Sequence, residues 1–363
     1  MNASTGEDRS RPAGDGGRFG RLAVPFGVVL AVGVALAVAW SLARRPGFGP
    51  DFFTFWQAGR AASGAAYRFD LGPGHPLPFV YPPTLLIFLA PSRLLGEIPA
   101  YLAWVALSTA AFVAAASLLV RRAAPLVLLA VPVVFADATG QTTLLLGAAL
   151  LAGLRMLSRP RLAGLMFALV IGVKPQLAFL LPVGLAAGGH WRVLLWTVVT
   201  GLALAGLTTA AFGTHIWPDW LAGLARYEAW QVRVQPRTVS LAPHAGLAVR
   251  AGLVLAGAAL VALAFRRRDA EGRLIAAAGA SMLAAPHAMG YDLAVMAPCA
   301  LAMLRRPTAL CLPAFALYLG WLASPLALLA FVLGCGTPVA GFLGRLTVAG
   351  RDRWGDAAPR NNT

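Results

Sequence analysis

Three stretches of this chain carry residues able to do chemistry. The first is Gly49-Pro50-Asp51-Phe52-Phe53-Thr54-Phe55-Trp56-Gln57-Ala58-Gly59. At 100° per residue, Phe52, Phe55, Trp56 and Gly59 share one helical face, with Thr54 and Gln57 opposite. The pattern predicts a short helix in the membrane interface, aromatic face down. Asp51, at its N-terminal edge, reads either as a helix cap or as a catalytic carboxylate, and the two are compatible. The second stretch holds Lys174, the only lysine beside 29 arginines, followed by Pro175, which ends the preceding helix. Lys174 is either a lysine snorkelling from a helix end or a compact ammonium meeting a phosphate. The third stretch runs from Ser281 to Asp292 and gathers His287, Tyr291 and Asp292 within six residues. A histidine there is structural or functional with equal weight. Around these three, Tyr81 follows the first loop and Gly140-Gln141 is a polar break that reads most simply as a turn. Glu228 falls on the Trp217/Trp220/Leu221/Leu224 stripe of an interfacial helix, where a site could draw it in. Arg250 is placed about two turns into an apolar span, either snorkelling or meeting a lipid phosphate.

The elements that must position these groups are set by composition. Of 363 residues, 59% are hydrophobic and 12% charged, with a mean hydropathy of +0.72. A water-soluble globule cannot bury that apolar fraction, so the chain is a polytopic, all-α membrane protein; a soluble enzyme, a secreted disulfide module and a disordered tail are excluded. The net charge of +16 is assigned to cytoplasmic loops and anionic head groups rather than to nucleic acid. Cys299, Cys311 and Cys335 lie in apolar runs and form no C-x-x-C pair. His/Cys spacing offers no metal-ligand set, and neither a dinucleotide fingerprint nor a G-x-S-x-G elbow occurs, so no cofactor is expected.

Strong spans are expected at 22–42, 99–120, 191–212, 243–265 and 326–348. Shorter ones are expected at 83–95, 123–136, 141–157, 161–173, 176–189, 273–286, 291–304 and 308–322. The count is about eleven to thirteen hydrophobic segments. Residues 1–21 and 349–363 read as cytoplasmic tails around a membrane domain, 22–348, with outer segments at 43–81 and 213–242. Arginine clusters place the turns holding Gln141, Lys174 and His287 on the face opposite the cytoplasm. Parity then requires 83–95 to be re-entrant, which Pro82, Pro83 and Pro91 permit. Arg44 and Arg45 fall on the wrong side in this scheme. Richness in Ala, Arg and Gly suggests a GC-rich bacterial genome, hence a plasma membrane with its active face outward.

Asp51-Phe52 with Ala58-Gly59 and Tyr67, then Phe79-Val80-Tyr81-Pro82-Pro83, resemble the start of glycosyltransferase family 87. Gly140-Gln141, Gly164 leading to Lys174-Pro175, and Pro286-His287 with Tyr291-Asp292 are similar to its later blocks in the same order, over about residues 45–310. The resemblance implies a GT-C architecture and transfer of a sugar, mannose foremost, from a polyprenyl-phosphate donor to an acceptor hydroxyl of a lipid or glycan. It implies that Asp51 is the general base of an inverting reaction. Lys174, Arg250 and His287 would then receive the donor phosphate, and Gln141, Tyr81, Glu228, Tyr291 and Asp292 the sugar or acceptor. The first loop is short, its second acidic residue, Asp70, lies well downstream, and no block matches beyond Leu310. The alternative is a transporter or flippase, since buried Lys, His and Asp also suit an ion-coupled pathway. A membrane scaffold would not need converging charges.

Overall fold

The computed structural model describes residues 16–44, 49–61, 63–68, 77–234, 238–242, 245–267, 269–304, 314 and 325–336. Asp70, His75, Arg45, residues 1–15 of the expected N-terminal tail, the C-terminal tail and nearly all of the 308–322 segment lie outside the described residues, as does the side chain of Glu228. The described residues are helical, with no strand among them. The helices are α1 (Gly16–Ala43), α2 (Pro50–Arg60), α3 (Thr84–Leu89), α4 (Glu97–Val120), α5 (Val131–Thr139), α6 (Thr143–Arg155) and α7 (Pro160–Val173). They continue with α8 (Leu181–Ala187), α9 (Trp191–Phe212), α10 (Ile216–Val234), α11 (Leu247–Arg267), α12 (Ala270–Ala284), α13 (Ala297–Leu304) and α14 (Pro325–Gly336).

Among the described residues, four segments are long and apolar enough to cross a bilayer: Pro25–Ala43, Glu97–Leu129, Trp191–Phe212 and Leu247–Arg266. They carry exposed Phe26, Val29, Leu107, Leu195, Leu202 and Leu255, as a lipid-facing surface requires. The shorter α12 lies inside. In α12, Leu274 to Ala284 are all buried, because the run Ala276-Ala277-Ala278-Gly279-Ala280 lets neighbours approach the backbone. A Cβ at Gly279 would collide with Val332 of α14. The close helix pairs are α7 with α9, α1 with α4, α4 with α6 and α11 with α12.

Several expected boundaries shift, each at a proline or glycine. The 123–136 segment is not one helix: residues Arg121–Leu129 form a 3-10 stretch containing Pro125, and α5 begins afresh with Pro132 in its first turn. The 176–189 segment divides into the 3-10 turn Pro175–Leu177 and α8, with Pro182 in its first turn. Segment 83–95 is α3 followed by the 3-10 turn Ala90–Leu94. Eleven residues at these rises span only about 19 Å, short of a hydrocarbon core about 30 Å thick. Such a segment is too short to cross alone.

The α7–α9 contact depends on Gly164. A Cβ there would stand 2.5 Å from Trp196 Cβ and 2.8 Å from Thr197 N, whereas Gly201 has open space around it. Gly164→Ala is expected to cost about 1–3 kcal/mol by overpacking. Gly201→Ala, which gains helix propensity, is expected to be neutral or stabilising. Thermal unfolding of the two variants in detergent compares them directly, and equal midpoints would contradict the packing.

Candidate functional site

The site is assembled from four chain breaks. The first lies at the start of α2. Gly49 is the N-cap, in a left-handed conformation (φ 49, ψ 49), with no side chain capping the helix. Pro50 and Asp51 follow inside the first turn. Asp51 is therefore not the cap that its position allowed, and its carboxylate is available for other contacts. The aromatic face of α2 is packed on protein rather than on lipid. Phe52 and Phe55 are about 1% exposed, against Tyr101, Trp104, Phe79 and Tyr81, with ring centroids 5.0–6.4 Å apart. Thr54 on the opposite face is also buried and donates to Pro50 O and Leu77 O. These neighbours provide the apolar surface for which a membrane interface had been expected.

The second break is the α5–α6 turn. Gly140 adopts φ +73 and caps α5. A Cβ there would strike Phe52 Cβ, so the missing side chain is what lets this turn close onto α2. Gln141, Thr142 and Thr143 follow, all buried. The third break is Lys174 itself, at the C-terminal cap of α7, where Pro175 ends the helix as expected. The fourth joins α12 to the 3-10 turn Gly290–Met296. Val239 N and Thr238 Oγ1 both donate to Ala288 O, and Leu241 N to Leu283 O, which pins this loop beneath the chain leaving α10.

The breaks converge on one network. Lys174 is 2% exposed, and its ammonium lies 2.6 Å from Asp292 Oδ1. It also donates to Thr143 Oγ1 (3.0 Å) and Gln141 Oε1 (3.3 Å). An ammonium has three N–H donors, so these three acceptors use all of them. Its charge also faces the rings of Tyr291 (4.7 Å) and Tyr81 (5.7 Å). Thr143 donates to Asp292 Oδ1 (3.0 Å), while Asp292 Oδ2 accepts from Met289 N (3.0 Å). Tyr81 OH donates to Gln141 Oε1 (2.7 Å).

Asp51 faces this network. Burial pushes its carboxyl above the ordinary value near 3.8. Gln141, the Lys174 charge and Thr139 draw it back in that order, and Asp292 opposes them. Tyr81 is held well above its ordinary range, first by burial and then by the Asp51 and Asp292 charges, so it remains a neutral hydroxyl. His287 packs edge-on against Tyr227 (centroids 5.9 Å), and burial lowers its pKa to about 4. Burial thus favours its neutral form over a fixed cation at physiological pH.

Of the residues singled out in the sequence, Asp51, Tyr81, Gln141, Lys174, His287, Tyr291 and Asp292 are thus brought together. Arg250 is placed differently from the expectation: α11 begins at Leu247, so Arg250 stands in its first turn, exposed, with Nε donating to Ala245 O (2.9 Å). Residues missed in the sequence are Thr139, Thr143 and Tyr227. Tyr227 continues the stripe of Trp220 and Leu224 at helical spacing, a signal that was present. Of that stripe, Trp220 donates to Val80 O (3.1 Å) and Trp217 to Thr209 Oγ1 (2.9 Å), so α10 lies partly on protein while Leu221 stays exposed.

A groove of about 620 Å³ opens beside this cluster, between α3, α4, α6 and α7. Its walls are Leu107, Leu118, Leu145, Ala149 and Leu169 among other apolar side chains. Its lining also includes Trp104, Thr142 and Val173, the last two flanking Gln141, Thr143 and Lys174 in sequence. Trp104 Nε1 and Thr142 Oγ1 are buried there with no hydrogen-bond partner.

The sequence was compared with families, curated proteins and solved structures. The model of glycosyltransferase family 87 matches residues 79–286, more than half of the chain. No curated protein and no solved structure matches. The matched segment holds Tyr81, Gln141 and Lys174; His287 and Asp292 lie just beyond its end, and Asp51 lies 28 residues before its start.

Removing one member of the buried ion pair leaves an uncompensated charge. Asp292→Ala is expected to cost about 3–5 kcal/mol, and the double variant Lys174→Met/Asp292→Leu to recover most of it. Thermal unfolding in detergent reads both. A double variant no more stable than Asp292→Ala would show that the pair does not act as a unit.

Proposed function

Since the chain belongs to glycosyltransferase family 87 and is an all-α membrane protein, we propose that it transfers a sugar, mannose foremost, from a polyprenyl-phosphate donor to an acceptor hydroxyl at the outer face of the plasma membrane. The architecture is GT-C. The acceptor is a lipid or glycan. The observation that carries this reading is Asp51: a partly buried carboxylate, not spent on capping, facing Gln141 and the Lys174 charge.

The reaction runs in one displacement. Asp51 takes the proton from the acceptor hydroxyl as the oxygen attacks the anomeric carbon. The bond between that carbon and the phosphate oxygen breaks, polyprenyl phosphate departs, and the anomeric configuration inverts. Charge growing on the phosphate is met by His287 as a neutral donor and by the field of Lys174, with Arg250 at the exposed start of α11 in reach of a head group. Gln141, Tyr81, Tyr291, Asp292 and Glu228 are the candidates to contact sugar or acceptor.

The groove supports a donor with a long apolar chain. Along α4 it extends from Trp104 to Leu118, roughly 21 Å at the helical rise, room for several isoprene units. Its inner end adjoins Lys174 and Gln141 through Val173 and Thr142.

Membranes carrying the protein and given polyprenyl-phosphate mannose are expected to release polyprenyl phosphate and form a glycosylated acceptor. Movement of intact donor without release would favour a transporter. Asp51→Asn is expected to lower transfer by about 10²–10⁴-fold, the usual worth of a general base; transfer at the wild-type rate would remove Asp51 from the reaction. Because burial raises its pKa, activity is expected to fall with acid at a pH above that of an ordinary carboxylate. Ala149→Phe, in the groove wall, is expected to raise the KM of a long-chain donor about tenfold and to spare a short-chain analogue.

A further inference from the structure

Lys174 was expected to grip a phosphate, yet its three N–H donors already serve Asp292, Thr143 and Gln141, and its side chain is 2% exposed. A substrate oxygen could reach it only by displacing one of these acceptors. Gln141 shows where the ammonium's hold leads. Its Oε1 accepts two donors at once, Tyr81 OH at 2.7 Å and Lys174 Nζ at 3.3 Å. Turning the amide over would set an NH₂ group against an ammonium that can only donate. The amide is thereby fixed in one orientation. Its Nε2 is buried with no partner within 3.5 Å among the described residues, in a side chain only 1% exposed, and the Gln141 side chain is the foremost group drawing the Asp51 carboxyl toward its charged form.

We propose that Lys174 is a positioning residue: with Asp292 and Thr143 it locks the Gln141 amide so that Nε2 is presented to the Asp51 carboxylate and the acceptor oxygen, and it does not itself hold the donor phosphate. Each partner then has a definite job. Asp292 pairs the ammonium through Oδ1 and is itself anchored through Oδ2 on Met289 N. Thr143 bridges the pair by donating to Asp292 and accepting from Lys174. Tyr81 closes the far side of the amide oxygen. The amide N–H that Lys174 and Tyr81 leave free of the oxygen side is thus kept for Asp51 and the acceptor oxygen.

The inference rests on the transferase reading for its kinetics only; the state of Asp51 can be read without substrate. Dicyclohexylcarbodiimide adds to a protonated carboxyl in an apolar setting. The pH at which Asp51 labelling falls by half, followed by peptide mass spectrometry, therefore reports its protonation. The titratable and charged groups that bear on Asp51 are Lys174, Asp292, Tyr81, Tyr227 and Tyr291. Three variants are compared with wild type: Gln141→Ala, the charge-neutral Lys174→Met/Asp292→Leu, and their combination. The first two are each expected to raise the labelling midpoint by about one pH unit, tenfold in proton concentration. The combination is expected to add little, because both act through one amide. In transfer assays kcat is expected to fall about 10²-fold, the order of a misplaced catalytic group, with donor KM changed less than about twofold if the phosphate is held elsewhere.

A midpoint that moves in Gln141→Ala but not in Lys174→Met/Asp292→Leu would overturn the proposal, as would shifts that sum in the combination. A tenfold rise in donor KM at unchanged kcat would overturn it in favour of direct phosphate contact. If wild-type membranes transfer no sugar, the proposed reaction fails, and the labelling arm still decides whether Lys174 positions Gln141.

Discussion

The arrangement of this protein turns on a single ammonium placed in an apolar interior. Bringing Lys174 out of water costs several kcal/mol, and the cost is offset only where an opposite charge and further acceptors meet it with good geometry. Asp292 at 2.6 Å, Thr143 and Gln141 do so, and the faces of two tyrosines add to them. Satisfying one cation thus requires the α5–α6 turn, the end of α7 and the turn after α12 to meet at one point. These segments are far apart in sequence, with Thr143 and Asp292 separated by 149 residues. The ion pair therefore specifies tertiary structure as much as it stabilises it.

The backbone breaks follow from the same requirement. A continuous helix offers no free amide or carbonyl to a polar cluster and keeps its side chains at fixed spacing. Breaking the chain at Gly140, Pro175 and Pro286 turns short polar runs inward and leaves the flanking helices too short to span alone. The longer helices, α1, α4, α9 and α11, pack against them, and short segments are tolerated where neighbouring protein covers them. Short buried helices and a polar centre are two aspects of one solution.

The sequence disclosed the membrane class through composition, and the long helices through runs of about twenty apolar residues. It disclosed much of the cluster through oddity: one lysine among arginines, and His287, Tyr291 and Asp292 crowded after Pro286. It could not disclose that α2 packs on protein. An aromatic stripe has the same spacing whether it meets head groups or Tyr101 and Trp104, and only the tertiary neighbours distinguish the two. Nor could spacing reveal Thr143 or Thr139. A hydroxyl beside an apolar run is ordinary, and its role appears only when Lys174 or Asp51 arrives from another helix. Arg250 was misplaced for a simpler reason: the apolar span was begun at Pro243, but α11 starts only at Leu247.

Asp51 shows how the two halves of the site depend on each other. It lies outside the stretch matched by the family model, yet Gln141 and Lys174, which lie inside it, oppose the rise in pKa that its burial causes. Burial alone would make it a protonated acid, useless as a base. Full hydration would make it a carboxylate too weakly basic to take a hydroxyl proton well. Burial raises its pKa while one amide, the Lys174 charge and one hydroxyl draw it back, and the proposed base role rests on that opposition. Keeping the cation one residue removed is what preserves this balance. A lysine in direct contact would pair with Asp51 and quench it, whereas a lysine spent on Asp292 transmits mainly orientation, through Gln141.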